Sequence, residues 1–524
     1  MSERRTPLAA LAVGFAALGA FYLYWGTSTR LLSFGGDNAT YLLIARDLSP
    51  FGGHSPGAAG YASQSYYPPL YPAVMAITGA AQALAAAHAF TITILVAAFA
   101  IAFAWYRSLG LGSILSALLV LAVAGTRGTY MTALEIESEP LYLALTLVAL
   151  AATRRDERDG AYGWRGWLAP SAVGAATLTR SAGLAMLVAY LVYLAVRRPR
   201  LGWLRAVVAT VPTLAWVRVG GNSDYGRILV ERYRDGGLTA LVETVASQLA
   251  TLWAEWLGLF AVEPVGLVVV VVSGVTVLAL AGLLLRLRRG ALEALYLGAY
   301  LALIVIWPFP GEMARFLVVT IPIVLGLAAL AAREGLERLP PGRARAWVAV
   351  GLWAGLGSVL VPQLALTAAR FHGGATPELG ALRRSALWYD PDRVTAEKTL
   401  HFAARLEDAL ARVAEHVPRN GCVFSVKPSL VGLFADRRAI YTPPASVADE
   451  PFHAEVERAG CRWFFLIAAG TQSAAPLYPR DRFEPPLDEV DVTRMGEDPE
   501  SRLVSILAAL PSPASGAQPL ATSR

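Results

Sequence analysis

From residue 7 to residue 369 the chain repeats one pattern: an apolar run, then a short stretch carrying arginine. Apolar runs stand near 7–29, 88–106, 111–126, 140–153, 167–179, 182–196, 203–219, 264–285, 291–307, 313–332 and 345–369. A bilayer crossing takes about 20 apolar residues. Lipid without water admits only helices or closed barrels, because every backbone group must find its partner within the protein. The spacing therefore predicts about 11 transmembrane helices. By length alone, 524 residues would also suit three soluble domains. The charged fraction of 16% excludes that, since soluble chains carry about 25%. With 55% hydrophobic residues, disorder is excluded too.

The net charge of +6 would point to nucleic acid if the basic residues shared one soluble face. They are instead strung between the apolar runs, and nearly all are Arg; Lys occurs only at Lys398 and Lys427. No nucleic-acid partner is expected.

The first run reads as a start-anchor with a cytoplasmic N-terminus, being too long for a cleaved signal and lacking a small-residue cleavage site. Residues 71–87 are apolar enough to be a twelfth crossing, and every later loop changes side if they cross. The most Arg-rich loops hold Arg154, Arg155, Arg158 and Arg165; Arg197, Arg198, Arg200 and Arg205; Arg286, Arg288 and Arg289; and Arg333, Arg338, Arg343 and Arg345. All four are cytoplasmic, as the positive-inside rule requires, only if 71–87 does not cross. Residues 69–87 are therefore read as a helix in the outer interface. Loops 30–87, 127–139 and 220–262, the turn 308–313 and everything after 370 then lie outside.

After Arg370 the composition shifts. Residues 395–416 have helical apolar spacing, 421–426 and 461–467 read as strands, 439–441 as a short strand, and 428–435 and 451–459 as helices. This alternation predicts a small soluble α/β extracytoplasmic domain over 371–473. Residues 474–524, rich in Pro and Ser, read as a loose tail. Cys422 and Cys461 each open a strand after a Gly; outside the cell a disulfide is permitted, and two buried thiols in neighbouring strands are the alternative. No internal repeat is evident.

Four clusters could carry chemistry. Asp37 follows Gly35-Gly36 and precedes a segment, 38–48, with an apolar face at Tyr41, Ile44, Ala45 and Leu48, expected to be an amphipathic helix on the membrane surface. Asp37 is either its N-cap or a carboxylate placed to take a proton from a hydroxyl. Tyr66-Tyr67-Pro68-Pro69 marks a helix start with interfacial tyrosines. Glu135, Glu137 and Glu139 crowd the mouth of a span, where carboxylates are costly unless paired or hydrated; a solvated acidic loop is the plain alternative. Arg180 sits between two short spans and Arg315 begins the span at 313; each either binds a fixed anion such as a phosphate, pairs with a local carboxylate such as Glu312, or snorkels outward. His54 and His88 are too isolated for a metal site, and no Walker loop, HExxH or nucleophile elbow occurs. Asn38-Ala39-Thr40 matches a glycosylation sequon and is read as chance.

In this order the clusters resemble the polytopic glycosyltransferases of the GT-C fold, which include protein O-mannosyltransferases, the aminoarabinose transferase acting on lipid A and the oligosaccharyltransferase catalytic subunit. The resemblance covers roughly residues 7–370. It rests on Gly36-Asp37 with Tyr41, Pro68-Pro69-Leu70-Tyr71, Glu137-Ser138-Glu139-Pro140, Leu178-Thr179-Arg180-Ser181-Ala182-Gly183, and Arg315-Phe316 with Pro322. It implies an all-α polytopic module followed by the α/β domain, in a bacterial cytoplasmic membrane. It also implies transfer of a sugar from a polyprenyl-phosphate donor to a lipid, glycan or protein acceptor, with inversion. Asp37 would be the general base. Glu137 or Glu139 would orient the sugar or hold a divalent cation. Arg180 and Arg315 would bind the lipid phosphate, and Tyr41 and Tyr67 would touch substrate. Two departures stand out. Some relatives have an acidic-Lys pair where this chain has Tyr66-Tyr67, which puts a metal site like theirs in doubt, and the Trp-Trp-Asp signature of oligosaccharyltransferases is absent. A transporter or lipid-linked-saccharide flippase is the rival reading; it favours internal repeats and mid-membrane charges.

Overall fold

The computed structural model describes residues 5–26, 37–51, 55–64, 67–159, 164–197, 201–219, 224–261, 266–307, 313–340, most of 342–361, 393–443, 447–467, 482–483, 486–494 and 504–510. The chain divides into two compact units. One takes Met1–Ser33 with Ser65–Pro391, the other Phe34–Gln64 with Asp392–Arg524. The expected division near residue 370 thus misses that the first loop belongs with the C-terminal domain.

The first unit is helical. In chain order its helices, and the two of the first loop, are α1 (Arg5–Gly26), α2 (Asn38–Leu48), α3 (Tyr61–Gln64), α4 (Leu70–Ile77), α5 (Leu84–Ser108), α6 (Ser113–Ala124), α7 (Arg127–Leu134), α8 (Glu139–Asp159), α9 (Leu168–Thr179), α10 (Gly183–Arg197), α11 (Gly202–Arg218), α12 (Asp224–Gly258, broken at Gly237), α13 (Gly266–Arg288), α14 (Leu292–Val305), α15 (Met313–Val318) and α16 (Ile321–Glu337). α5 packs on α8, α8 on α9, α9 on α11, α10 on α14 and α13 on α16. Their shared core is rich in aromatic rings that give their polar tips internal partners, as lipid surroundings demand. Tyr22 donates to the Ala124 carbonyl at 2.5 Å and Tyr106 to the Pro322 carbonyl at 2.8 Å.

Among the described residues two helices, α5 and α13, are long and apolar enough to cross a bilayer, and the α6–α7 pair, bent by 61°, makes a third as one broken span. The count of 11 is therefore not reproduced, for identifiable reasons. The apolar run over 313–332 is split into α15 and α16, with Pro322 in the first turn of the second. α9 and α10 are separate helices of 12 and 15 residues. α8 ends in a charged turn, Arg154-Arg155-Asp156-Glu157-Arg158. The expected span over 345–369 ends outside the described residues. Residues 70–82 form α4, of eight residues, and one 3-10 turn. Eight residues rise about 12 Å, too little to cross about 30 Å of hydrocarbon.

The second unit holds a five-stranded mixed sheet in the order β2-β1-β3-β5-β4, with β1 (Cys422–Ser425), β2 (Arg438–Tyr441), β3 (Trp463–Ile467), β4 (Asp488–Arg494) and β5 (Val504–Ala509). β1, β2 and β3 are parallel; β5 runs antiparallel to β3 and β4 antiparallel to β5. Helices α17 (Arg393–His416) and α18 (Asp449–Ala459) accompany the sheet. The expected strands and helices of this domain are present. The loose tail is a correction: β4 and β5 lie inside 474–524 and complete the sheet, because Ile506 and Ala508 join Phe424, Phe452 and Phe464 in its core. The rest of that segment lies largely outside the described residues. Cys422 and Cys461 are joined in a disulfide, with Cα atoms 4.7 Å apart.

α2 forms where expected but not as a surface helix. Seven of its eleven residues are buried: Asn38, Ala39, Tyr41, Leu42, Leu43, Ile44 and Ala45. Leu42 and Leu43 add a second apolar flank to Tyr41, Ile44 and Ala45, and a helix apolar on most sides seeks a protein interior. It packs on α3 and on residues 428–435.

Candidate active site

The acidic segment Glu135–Glu139 joins α7 to α8 as four extended or bent residues followed by the first helical one. Every residue from Thr132 to Pro140 is buried. Glu139 is 1% exposed, and Glu137 and Glu135 are nearly as enclosed. A solvated acidic loop is thereby excluded. Glu139 opens α8, where the positive end of the helix dipole favours a carboxylate, and Pro140 suits a first turn that lacks backbone acceptors.

Two guanidiniums pair with this segment. Arg180 is the residue after α9, in extended conformation, its N–H still bonded to the Ala176 carbonyl at 3.1 Å. The turn Arg180-Ser181-Ala182 reverses the chain into α10, with Gly183 N–H donating to the Arg180 carbonyl at 2.9 Å. Gly183 must be glycine: a Cβ there would lie 2.5 Å from the Ala176 carbonyl oxygen. Arg315 sits within α15. Arg180 and Arg315 both pair with Glu139, and Arg315 Nε also pairs with Glu137 Oε2 at 3.0 Å. Arg180 donates to Ser138 Oγ at 3.4 Å and lies over the Phe316 ring, 5.2 Å from its centroid.

Tyrosines line the cluster on its buried side. Tyr300 donates to the Phe316 carbonyl at 3.0 Å and stacks on Tyr142, with centroids 6.2 Å apart. Tyr142 shares a hydrogen bond of 3.0 Å with Tyr296. The arrangement fixes two cations on two of the three buried carboxylates, at one end of a helical bundle. Burial of this kind holds only if every charge has a partner.

The structure thus brings Glu137, Glu139, Arg180 and Arg315 together, across 176 residues between Arg315 and Glu139. The proposed local partner Glu312 lies outside the described residues. Tyr67, also in the first unit, is partly buried just ahead of Pro68 and α4. Sequence reasoning missed Ser138, Phe316, Tyr142 and Tyr300. Tyr142 could have been found, since it stands one turn from Glu139 on α8.

Asp37 and Tyr41 belong to the second unit. Asp37 occupies the N-cap position of α2 but makes no side-chain capping bond; its backbone carbonyl accepts from Tyr41 N–H at 2.8 Å. The simple capping explanation for an Asp at this position is removed. Tyr41 is 3% exposed.

For a divalent cation the fit is poor. Among the described residues no three His, Cys, Asp or Glu side chains converge on one point. Glu137 and Glu139 turn their oxygens to guanidiniums, which occupy the positions a cation would need.

No protein-family model matches this sequence, and no curated protein matches it. Solved structures do. ArnT from Cupriavidus metallidurans in the apo state superposes with a TM-score of 0.54 at 15% identity, over 96% of this chain and 98% of that one. ArnT bound to undecaprenyl phosphate gives 0.53 at 16% identity, over 97% and 99%. The Archaeoglobus fulgidus oligosaccharyltransferase tethered with an acceptor peptide gives 0.47 at 12% identity, over 87% of this chain and 69% of that one. ArnT is a membrane glycosyltransferase of the GT-C fold. The agreement with it over nearly the full length of both chains shows that this chain has that fold.

Proposed function

We propose that this protein is a membrane glycosyltransferase that moves a sugar from a polyprenyl-phosphate donor to an extracytoplasmic hydroxyl acceptor, inverting the anomeric carbon. The observation that carries this reading is the buried pair of guanidiniums, Arg180 and Arg315, fixed on Glu139 within a GT-C fold. As the bond from the anomeric carbon to the phosphate oxygen breaks, its electron pair stays on that oxygen and a second negative charge develops on the leaving lipid phosphate. Fixed guanidiniums suit that charge in geometry and in sign. The acceptor oxygen bonds to the anomeric carbon from the opposite face, and its proton passes to the Asp37 carboxylate. Glu137 and Glu139 hold the two arginines in register and orient the sugar. Tyr41 and Tyr67 contact substrate. No step runs through a metal.

Three features support an extracytoplasmic reaction. The disulfide of the C-terminal domain belongs in an oxidising compartment. The first loop and that domain form one unit, which supports an even number of membrane crossings between residues 65 and 391. The ten later spans read from the sequence would satisfy this, and an extra crossing at 71–87 would break it. The arginine-rich loops then fall on the cytoplasmic side.

The test is Asp37→Asn in the purified full-length protein, with release of undecaprenyl phosphate measured over a panel of hexosyl and pentosyl undecaprenyl-phosphate donors. The rate should fall roughly 10²–10⁴-fold. Wild-type turnover by the folded variant would remove Asp37 from the role of base. A mass spectrum of co-purified lipid identifies the carrier.

A further inference from the structure

The second unit ties α2 to the C-terminal domain through two carboxylates that the reaction chemistry does not use. Asp436 follows the 431–435 helical turn in the left-handed region, at φ 51°. Its Oδ1 accepts from Ser55 Oγ and from Gly57 N–H at 3.2 Å. Its position is fixed by the next residue. Arg437 is buried and donates to the carbonyls of Ala414 at 2.5 Å and Val417 at 2.7 Å, at the C-terminal end of α17. Asp47, in the last turn of α2, accepts from Gly60 N–H at 3.1 Å and Ala62 N–H at 2.9 Å.

Between these anchors the backbones touch. A Cβ on Gly57 would lie 2.1 Å from the Gly432 carbonyl oxygen, and one on Gly432 would lie 2.8 Å from the Gly57 oxygen and 3.0 Å from a Leu43 methyl. Leu43 is fully buried on α2. Residues 55–62 are therefore clamped to the domain at one end and to α2 at the other. Arg46, beside Asp47, is pulled below the usual guanidinium range by burial, with Asp436 as the charge that opposes the shift.

We propose that Asp436 and Asp47 are positioning residues of the transferase reaction, clamping residues 55–62 so that the C-terminal domain fixes the helix presenting Asp37. The inference rests on Asp37 being the base. Ten helical residues separate Asp47 from Asp37, about 15 Å of rise. A tilt of about 10° at the anchored end moves Asp37 by about 2.6 Å. A misplacement of about 1 Å can cost about 10²-fold in rate, so a loose clamp is expensive in turnover.

The experiment uses the full-length protein with Asp436→Ala, Asp436→Asn and Asp37→Asn in parallel. Hydrogen exchange is followed at Gly57, Gly60, Ala62 and α2, and kcat and KM are followed with the donor panel. D436A should raise exchange over 37–62 while β1 and β3 stay protected. It should also lower kcat roughly 10–100-fold, with KM for the donor within about twofold. D436N keeps an oxygen that can accept from Ser55 and Gly57 and should recover most of the rate. Ser55→Ala deletes one hydroxyl and repeats the test at smaller amplitude if D436A does not accumulate. Unchanged exchange in D436A overturns the clamp. Raised exchange with unchanged kcat overturns the positioning role. Full activity of D37N refutes the base instead, and with it the positioning role, while the exchange result still decides the clamp.

Discussion

Replacing Glu139 by Gln removes a charge from a site 1% exposed that two guanidiniums share. The amide keeps the shape and removes the carboxylate charge that Arg180 and Arg315 share. Removing one partner of a buried ion pair costs about 3–5 kcal/mol, because the other charge stays buried without compensation. For a unit this large, about 2 °C of unfolding temperature per kcal/mol makes that roughly 6–10 °C. The contacts also set an order. Arg315 pairs with both carboxylates, so Arg315→Met takes a partner from Glu137 and from Glu139 and approaches the same cost. It is 16% exposed, which places it at the lower end. Arg180 pairs with Glu139, and Arg180→Met leaves Glu139 still held by Arg315. Glu137→Gln removes the pair with Arg315 and should cost least. The double variant E139Q/R180M should be less damaging than the sum of its parts by about 1–3 kcal/mol. Thermal unfolding in lipid nanodiscs, followed by tryptophan fluorescence, measures all five. The reasoning fails if E139Q unfolds within about 1 °C of wild type, if R180M costs more than R315M, or if the double variant is additive.

Other outcomes follow from single features. Reducing the Cys422–Cys461 bond reopens a separation of 39 residues and should cost about 4 kcal/mol by loop entropy. Dithiothreitol should therefore lower the unfolding of the sheet domain and leave the helical bundle unmoved; circular dichroism separates the two. Gly183→Ala should cost about 1–3 kcal/mol, since its methyl would meet the Ala176 carbonyl, and a reduced unfolding temperature checks it. With both native cysteines bonded, a single Cys at Ser63 should react with an impermeant maleimide on intact spheroplasts, whereas one at Asp159 should react only after lysis. The reverse pattern would invert the topology.

The sequence carried the local signals and lost the distant ones. Helical and strand periods over 395–467 were legible because each reflects contacts along one element. Arg180, Arg315 and the glutamates each stood out, since charge at the head of a span is costly. Their mutual pairing was not legible, because it joins residues 41 to 178 positions apart and no local pattern encodes that. α2 was misplaced for a related reason: its apolar face was visible, but what covers its second flank comes from residues 428–435. β4 was hidden by the Pro-rich and Ser-rich stretches around it, although Asp488–Arg494 alternates as an edge strand does. The count of spans suffered because hydropathy registers an apolar run and not the break within it.

The union of residues 34–64 with residues 392–524 bears on how the protein comes into being. The helix carrying Asp37 leaves the ribosome among the first segments, yet the surface that receives it is made about 330 residues later. At about 5–20 residues per second that is roughly 15–65 s. Through that interval the early loop waits without that surface. A chain truncated anywhere before the sheet would reach the membrane with most of its helices and no seat for its proposed base. A chain ended before residues 428–435 thus lacks the surface on which the helix after Asp37 packs.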